Sequence, residues 1–348
     1  MKIIYVKNGD SSFIRLDQEI LEDNFSTLVL HLNNSGRYGY FFQLLKLILV
    51  FAFILPSKSI AFTRFADWHS AIMAFFCRLY HKDLVIVVGG YDASLFPEFG
   101  YGVYNRKTRG KWAKYALRNA SMVIPNNPSL VNNSNNYIPG ITRRGGVDFF
   151  VPERKGRVEV VHNGFKTDFW KPDKGSRRNN LIITVAYISN WRSYKIKGID
   201  DFIGAASNMP DLHFKLIGSK KELLEDLHGN LPENLEVIHS LDQSDLLLEY
   251  QKAKVFCLLS LSEGMPNVLC EAMLCGCVPV VSNVNFNAEL VGDAGFIVEK
   301  KDASLIENAI RNAADSPEEI SRKSRTRIED HFSINRRRQE IVKLLNDI

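Results

Sequence analysis

Short β-branched apolar runs alternate with amphipathic stretches along almost the whole chain, and this alternation restricts the fold more than any other feature. KIIYV, TLVLHL, SIAFTRF, DLVIVV, MVIPNN and VEVVHNG read as strands. Between them SSFIRLDQEILEDNF, which opens on a serine cap, WHSAIMAFFCRLYH and RGKWAKYALRNA read as helices. Strands that are apolar on both faces need cover on both faces, so the expectation is a parallel sheet sandwiched by helices. The pattern breaks over residues 166–180, where KTDFWKPDKGSRRNN is polar and carries Pro172 and Gly175, the composition of a linker. It restarts at NLIITVAYI and continues through LHFKLIG, LEVIHS, VFCLLS and VPVVSN. A chain of 348 residues can bury two separate cores. The expected architecture is therefore α/β, with two Rossmann-like doubly wound domains facing a cleft at the carboxyl ends of their strands. Residues 1–170 form the first and 171–332 the second, with a C-terminal helix over 333–348 packing back on the first.

Composition narrows the classes. An apolar share of 45% and a charged share of 24% are ordinary for a globular protein. The net charge of +5 is a modest basic excess that suits a solvated surface or anionic partners such as phosphates and lipid headgroups. No nucleic-acid-binding motif accompanies it, so nucleic acid is not an expected partner. Five cysteines, four of them in apolar segments, argue against a disulfide framework and for a reducing compartment. Cys270, Cys275 and Cys277 lie close together but have no histidine nearby, so they read as small core residues and no metal site is expected. MKIIYVKNGDSSF lacks the pattern of a signal peptide and reads as a first strand. YFFQLLKLILVFAFILP, residues 40–56, is apolar nearly all round but is interrupted by Lys46, closed by Pro56 and too short to span a bilayer. A buried helix is the preferred reading and contact with a membrane face the alternative.

The chemistry concentrates in SEGMPNVLCEAMLCGCVPVVSN, residues 262–283. VFCLLS enters as a buried strand, and Ser262, Glu263 and Gly264 make the turn out of it. Pro266 sits where a helix starts without needing its N–H, and Gly276 ends that helix. Free amides at the helix start favour phosphate oxygens, and Gly264 has no Cβ to keep a ligand from the main chain. Glu271 lies a little over one turn in. Each carboxylate can accept both protons of a vicinal diol, as found in a ribose or a hexose. An isolated pair would instead be a helix-end charge and an exposed acid.

The pair is not isolated. EGMPNVLCEAMLCGCVPVV, from Glu263 to Val281, resembles the E-x7-E signature of the retaining glycosyltransferases of family 4, which have the GT-B fold. VVHNGFKTDFWKP resembles the hinge segment of that family, with Asn163 and Gly164 at the crossover. Lys197-Gly198-Ile199-Asp200 resembles its lysine-glycine step, KLIG up to Gly218 its third-strand turn, and NAELVGDAGFIVE the segment after the motif. The resemblance covers residues 160–332 well and the first half loosely. It implies that Glu271 holds the ribose hydroxyls and Glu263 the transferred sugar. Gly264 and Met265 offer backbone amides, and Pro266 and Asn267 complete the donor-binding turn. Lys197 neutralises the diphosphate with a second cation. The family usually places an arginine directly after the first strand of this domain, where this chain reads VAYISNWRSYKIKG; Arg192 is the choice here, with Tyr187 and Lys195 as alternatives.

The first half departs further. In place of a glycine-rich loop, KNGDSSF offers Gly9, Ser11 and Ser12. In place of a strand-end histidine, DLVIVVGGYD offers Gly90, Tyr91 and Asp92, where Asp92 either accepts a sugar hydroxyl or caps a tight turn. His69 reads as a half-buried helix residue. The resemblance implies a nucleotide-diphosphate sugar as co-substrate, no further cofactor, no metal and no covalent nucleophile. It also implies a saccharide or lipid-linked saccharide acceptor, in cell-envelope polysaccharide or glycolipid synthesis. The expected place is the cytoplasm, at the inner face of the membrane if the acceptor is lipid-linked. Three rival readings are a nucleotide-sugar isomerase (epimerase) of the same fold, a non-catalytic nucleotide-sugar-binding protein and a nicotinamide-dependent oxidoreductase. The last ranks lowest because no GxGxxG follows either first strand.

Overall fold

A computed structural model of the protein describes residues 1–32, 36–173 and 179–348. They form two compact units. Met1–Asn133, Arg144–Gly164 and Asn335–Ile348 make the first, and Ser134–Arg143 with Phe165–Ile334 the second.

In the first unit six strands, β1 (Lys2–Asn8), β2 (Ser26–Leu32), β3 (Ile60–Arg64), β4 (Asp83–Val88), β5 (Met122–Pro125) and β6 (Arg157–Val158), form one sheet in the order β2-β1-β3-β4-β5-β6. All pairs are parallel; Ile3 of β1 lies opposite Thr27 of β2 and Ile60 of β3. β1, β3 and β4 are buried through nearly their whole length, as continuous apolar runs in a doubly covered sheet must be. The cover comes from α1 (Ser12–Asn24), α2 (Gly36–Phe53), α3 (Trp68–Leu79) and α4 (Lys107–Asn119). α1 buries Ile14, Asp17, Ile20 and Leu21, one face at helical spacing. α3 starts at a reciprocal cap between Asp67 and Ser70.

In the second unit β7 (Asn179–Val185), β8 (His213–Ile217), β9 (Leu235–Ile238), β10 (Ala253–Leu258), β11 (Val278–Ser282) and β12 (Phe296–Val298) pair in parallel in the order β9-β8-β7-β10-β11-β12. The strand order reverses between β7 and β10, so the loops leaving these two neighbours diverge and leave room for a ligand at their carboxyl ends. The helices of this unit that matter below are α5 (Trp191–Ile196), α6 (Ile199–Asn208) and α7 (Asn267–Leu274); α8 (Ile334–Asn346) belongs, from Asn335 on, with the first unit.

Several details differ from the sequence expectation. The division falls between Gly164 and Phe165 rather than after residue 170, and Ser134–Arg143 belongs with the second unit. Residues 166–170 are therefore not linker: Trp170 is buried, sits edge-on to Tyr250 at 5.7 Å, and its carbonyl accepts from Arg325 at 3.0 Å. Residues 174–178 of that segment, Gly175 included, lie outside the described residues, and Asn179 already begins β7. VEVVHNG contributes only its first residue, Val158, to a strand. The apolar helix begins at Gly36 and is buried on one side only, through Leu47 and Phe51. Its outer side leaves Tyr38, Phe42, Leu49 and Phe53 exposed. Among the described residues no helix is long and apolar enough to cross a membrane.

A buried ionic cluster ties α8 to the first unit. Asp17 on α1 accepts from Arg64 Nε at 2.5 Å and from Arg337 Nε at 2.7 Å, all three side chains being almost wholly enclosed. Arg337 also donates to the carbonyls of Val161 and His162, and Arg64 to Asn163 Oδ1. The two guanidinium groups hold the Asp17 carboxyl below the usual carboxylate range against the opposing effect of burial.

Candidate active site

Lys197 and Glu263 leave the two strands that flank the strand-order reversal of the second unit. Lys197 is the C-cap of α5, and its Nζ lies 2.7 Å from Glu263 Oε1. Two loops have to be held in register for this pair to form. The Leu261 amide donates to the Ile196 carbonyl at 2.8 Å, and Ser282 Oγ donates to the Ser260 carbonyl at 2.6 Å. Gly198, at φ +62°, packs so tightly against the other loop that a Cβ would stand 2.0 Å from the Leu259 carbonyl oxygen. The glycine after Lys197 is thus required twice, by its left-handed backbone and by this close approach. Asn285 completes the frame. It adopts φ +52°, a conformation asparagine tolerates better than most residues, and its Oδ1 accepts the Glu263 amide at 3.0 Å. Sequence reasoning passed over Asn285; the only local signal was an asparagine-rich SNVNFN after a buried strand.

α7 begins after Pro266, which provides no side-chain cap. Gly264 is half-buried, Met265 packs into the core, and Pro266 and Asn267 form the entry to the helix. Glu271 is buried at 7% exposure. Burial pushes its carboxyl up to about 7, and no hydrogen-bond or ion-pair partner for that carboxylate occurs among the described residues. Behind it lies Tyr250, wholly enclosed, whose hydroxyl also lacks a partner and whose acidity is suppressed by burial and then by the Glu271 charge. A carboxylate held this way is costly unless hydroxyl donors from a ligand satisfy it.

The three candidates for the second cation separate. Lys195 is bound to Asp200 at 2.9 Å, and Tyr187 is 77% exposed. Arg192 lies on the first turn of α5, half-buried. In the first unit Gly9, at φ +96°, follows β1, and Ser11 is the exposed N-cap of α1 with Ser12 beginning the helix. Gly90, at φ +131°, and Tyr91 follow β4. Asp92 does not face a ligand there: it is buried and accepts the amides of Ala66, Gly89 and Gly90, each at 3.0 Å. It closes the turn. His69 is fully rather than half buried, with Nε2 3.1 Å from both Thr63 Oγ1 and the Arg64 carbonyl. All five cysteines are buried and outside any disulfide, and among the described residues no group of His, Cys, Asp or Glu is placed to hold a metal ion.

Comparison with known proteins bears on the same segments. Residues 168–330 match the family model described as glycosyl transferases group 1. Over 216 residues the chain is 31% identical to the UDP-Gal:alpha-D-GlcNAc-diphosphoundecaprenol alpha-1,3-galactosyltransferase of Escherichia coli, covering 55% of this chain and 54% of that protein. It is 28% identical over 171 residues to an uncharacterized glycosyltransferase of Haemophilus influenzae, covering 44% and 45%. The chain thus spans about half the length of these relatives. Among solved structures, Anabaena HepE in complex with UDP superposes with a TM-score of 0.73 at 17% identity, over 100% of both chains. Sucrose-phosphate synthase from Thermosynechococcus elongatus superposes at 0.74 and 14% identity, over 100% of this chain and 98% of that one. The protein therefore has the GT-B fold, two Rossmann-like doubly wound units, and its second unit is similar to the group 1 glycosyl transferases.

Proposed function

We propose that the chain is a retaining glycosyltransferase that moves a hexose from a uridine diphosphate sugar to a hydroxyl of a saccharide or lipid-linked saccharide. The observation that carries this reading is the Lys197–Glu263 pair at the strand-order reversal, with the unpartnered Glu271 carboxylate buried on the helix that follows. Uridine is favoured because the Escherichia coli relative is named for UDP-Gal and the Anabaena structure holds UDP. The relative's lipid-linked acceptor likewise supports a place in cell-envelope polysaccharide or glycolipid assembly, on the cytoplasmic face of the membrane.

In this mechanism Glu271 accepts the ribose hydroxyls, the α7 amides and Lys197 hold the diphosphate, and Glu263 accepts hydroxyls of the transferred sugar. The acceptor oxygen bonds to the anomeric carbon as the bond from that carbon to the diphosphate oxygen breaks. The bonding electrons leave with the diphosphate, which takes the acceptor's proton on the same face, so configuration is retained. Lys197 and Arg192 stabilise charge that grows on the diphosphate only as the bond breaks, and this raises turnover rather than ground-state binding. Charge neutralisation by these side chains needs no metal ion, so turnover should survive EDTA.

The test is a thermal-shift panel of UDP, GDP, ADP and their sugars, followed by turnover of the responding donor. A UDP-selective shift is expected. Glu271→Ala should weaken UDP binding roughly tenfold or more, whereas Glu263→Ala should mainly lower turnover. No nucleotide response at all, or a donor consumed equally well without any acceptor, overturns the reading; the second outcome is the signature of an isomerase.

A further inference from the structure

Lys197 stands in a turn that needs outside support. It is the C-cap of α5, a helix of six residues, too short for its own hydrogen bonds to fix where its end points. The next residue, Gly198, is the left-handed start of α6. Across this turn Lys195, in the last turn of α5, pairs with Asp200, in the first turn of α6, Nζ lying 2.9 Å from Oδ2. The ion pair therefore spans Ile196, Lys197, Gly198 and Ile199. Its side chains are 32% and 23% exposed, and a pair so open to water adds little to overall stability. What it does restrain is the turn that carries Lys197.

Asp200 is steadied in turn. Asp201 follows it, and although a helix start favours acids, two adjacent carboxylates repel each other. Lys301, just after β12, answers both: its Nζ is bonded to Asp201 and stands 3.7 Å from Asp200 Oδ2. Burial raises the Asp201 carboxyl above its ordinary value; the Lys301 charge opposes that shift and the Asp200 charge adds to it. Lys301 is anchored by Ser134–Arg143, which belongs with the second unit although the chain on either side belongs with the first. The Tyr137 carbonyl accepts the Lys301 amide at 2.9 Å, and the Asn136 carbonyl accepts Lys300 Nζ at 3.1 Å. Asn135 Oδ1 accepts the Tyr137 amide at 2.8 Å and shapes this loop, in which Tyr137 is 1% exposed. Contacts thus run without a break from Tyr137 through Lys301, Asp200 and Lys195 to the two sides of Lys197.

We propose that Asp200 is a positioning residue for Lys197: through its ion pair with Lys195, and supported by Lys301 on the Ser134–Arg143 segment, it holds Lys197 where the diphosphate of the donor arrives. The role given to Lys197 rests on the transferase reading. Lys195 is then a staple across the turn and not the second cation of the diphosphate.

Asp200→Asn keeps the size of the side chain and removes its charge. Calorimetry with UDP and UMP reads the grip on the outer phosphate, and the ratio of the two affinities should fall about threefold in this variant. UMP should bind as before, and the urea unfolding midpoint should hardly move. kcat should fall about tenfold, further than donor affinity, because Lys197 acts most on charge that appears as the bond breaks. Lys195→Met, at a partly exposed position, should do the same. The double variant should be no worse than either single one, since the same interaction is lost in all three. Lys301→Met should give a smaller loss in the same direction, and Lys301→Arg should restore it. An unchanged UDP-to-UMP ratio in either single variant, losses that add in the double variant, or a kcat that falls only as far as the folded fraction overturns the proposal. Failure of the transferase reading is separable. A chain that prefers UDP to UMP by the same ratio with and without Asp200 overturns only this proposal, whereas one whose ratio responds as expected but which transfers no sugar overturns only the transfer.

Discussion

Glu271 is a carboxyl kept out of water with no counter-charge paired to it among the described residues, and its cost can be read from pH. Its folded pKa, near 7, stands above the ordinary glutamate value, so the folded chain holds the proton more tightly than the unfolded one. The penalty is absent below the unfolded pKa, grows as pH rises through the interval, and is complete above the folded value. At pH 8 it amounts to about 3 kcal/mol. Glu271→Gln should therefore raise urea stability at pH 8, by about 1–3 kcal/mol after the polar amide is allowed its own burial cost. The gain should vanish near pH 4, and the same variant should bind UDP less well. Gly198 makes the opposite case, a residue whose smallness is the requirement. Gly198→Ala forces a Cβ into the Leu259 carbonyl at a left-handed backbone position, so it should cost at least about 2 kcal/mol in denaturant unfolding and lower turnover together.

The elements were largely legible in the chain because their periods were clean. β1, β3, β4, β7, β10 and β11 are the runs that their β-branched residues announced, and the helix after Pro266 ends within two residues of the glycine that marked its stop. Two elements show why pattern alone fails elsewhere. α5 was hidden in VAYISNWRSYKIKG because six residues carry too little periodicity; a reciprocal Asn190–Ser193 cap holds it. α2 looked buried because apolar residues occupy every side of it, yet hydropathy cannot tell which side the sheet will cover. α8 depends on a contact no pattern encodes. Arg337 reaches Asp17 across a separation of 320 residues. Arg337→Met leaves Asp17 with Arg64 alone in a buried site and should destabilise the protein by about 3–5 kcal/mol in urea unfolding.

The polypeptide enters the second unit twice and returns to the first to finish, since Asn335–Ile348 belongs with residues near the start. Ending the chain after Ile334 should therefore loosen the first unit, not the second. Hydrogen exchange is expected to rise in α1 and around Val161–His162 while β7 and β10 keep their protection. The division of labour between sequence and tertiary structure follows from range. Periodicity and turn signatures are local properties, and they were enough to announce two parallel α/β units; Lys197, Glu263 and Glu271 entered as candidates through a resemblance of short segments, and their roles belong to the proposal. Which of those side chains would meet, that Asp92 would be consumed by three backbone amides, and that α2 would turn an apolar face outward depended on partners far away in the chain. Hydrogen bonds and burial are settled by three-dimensional neighbours, and a side chain's type records only what it is able to do when such neighbours arrive.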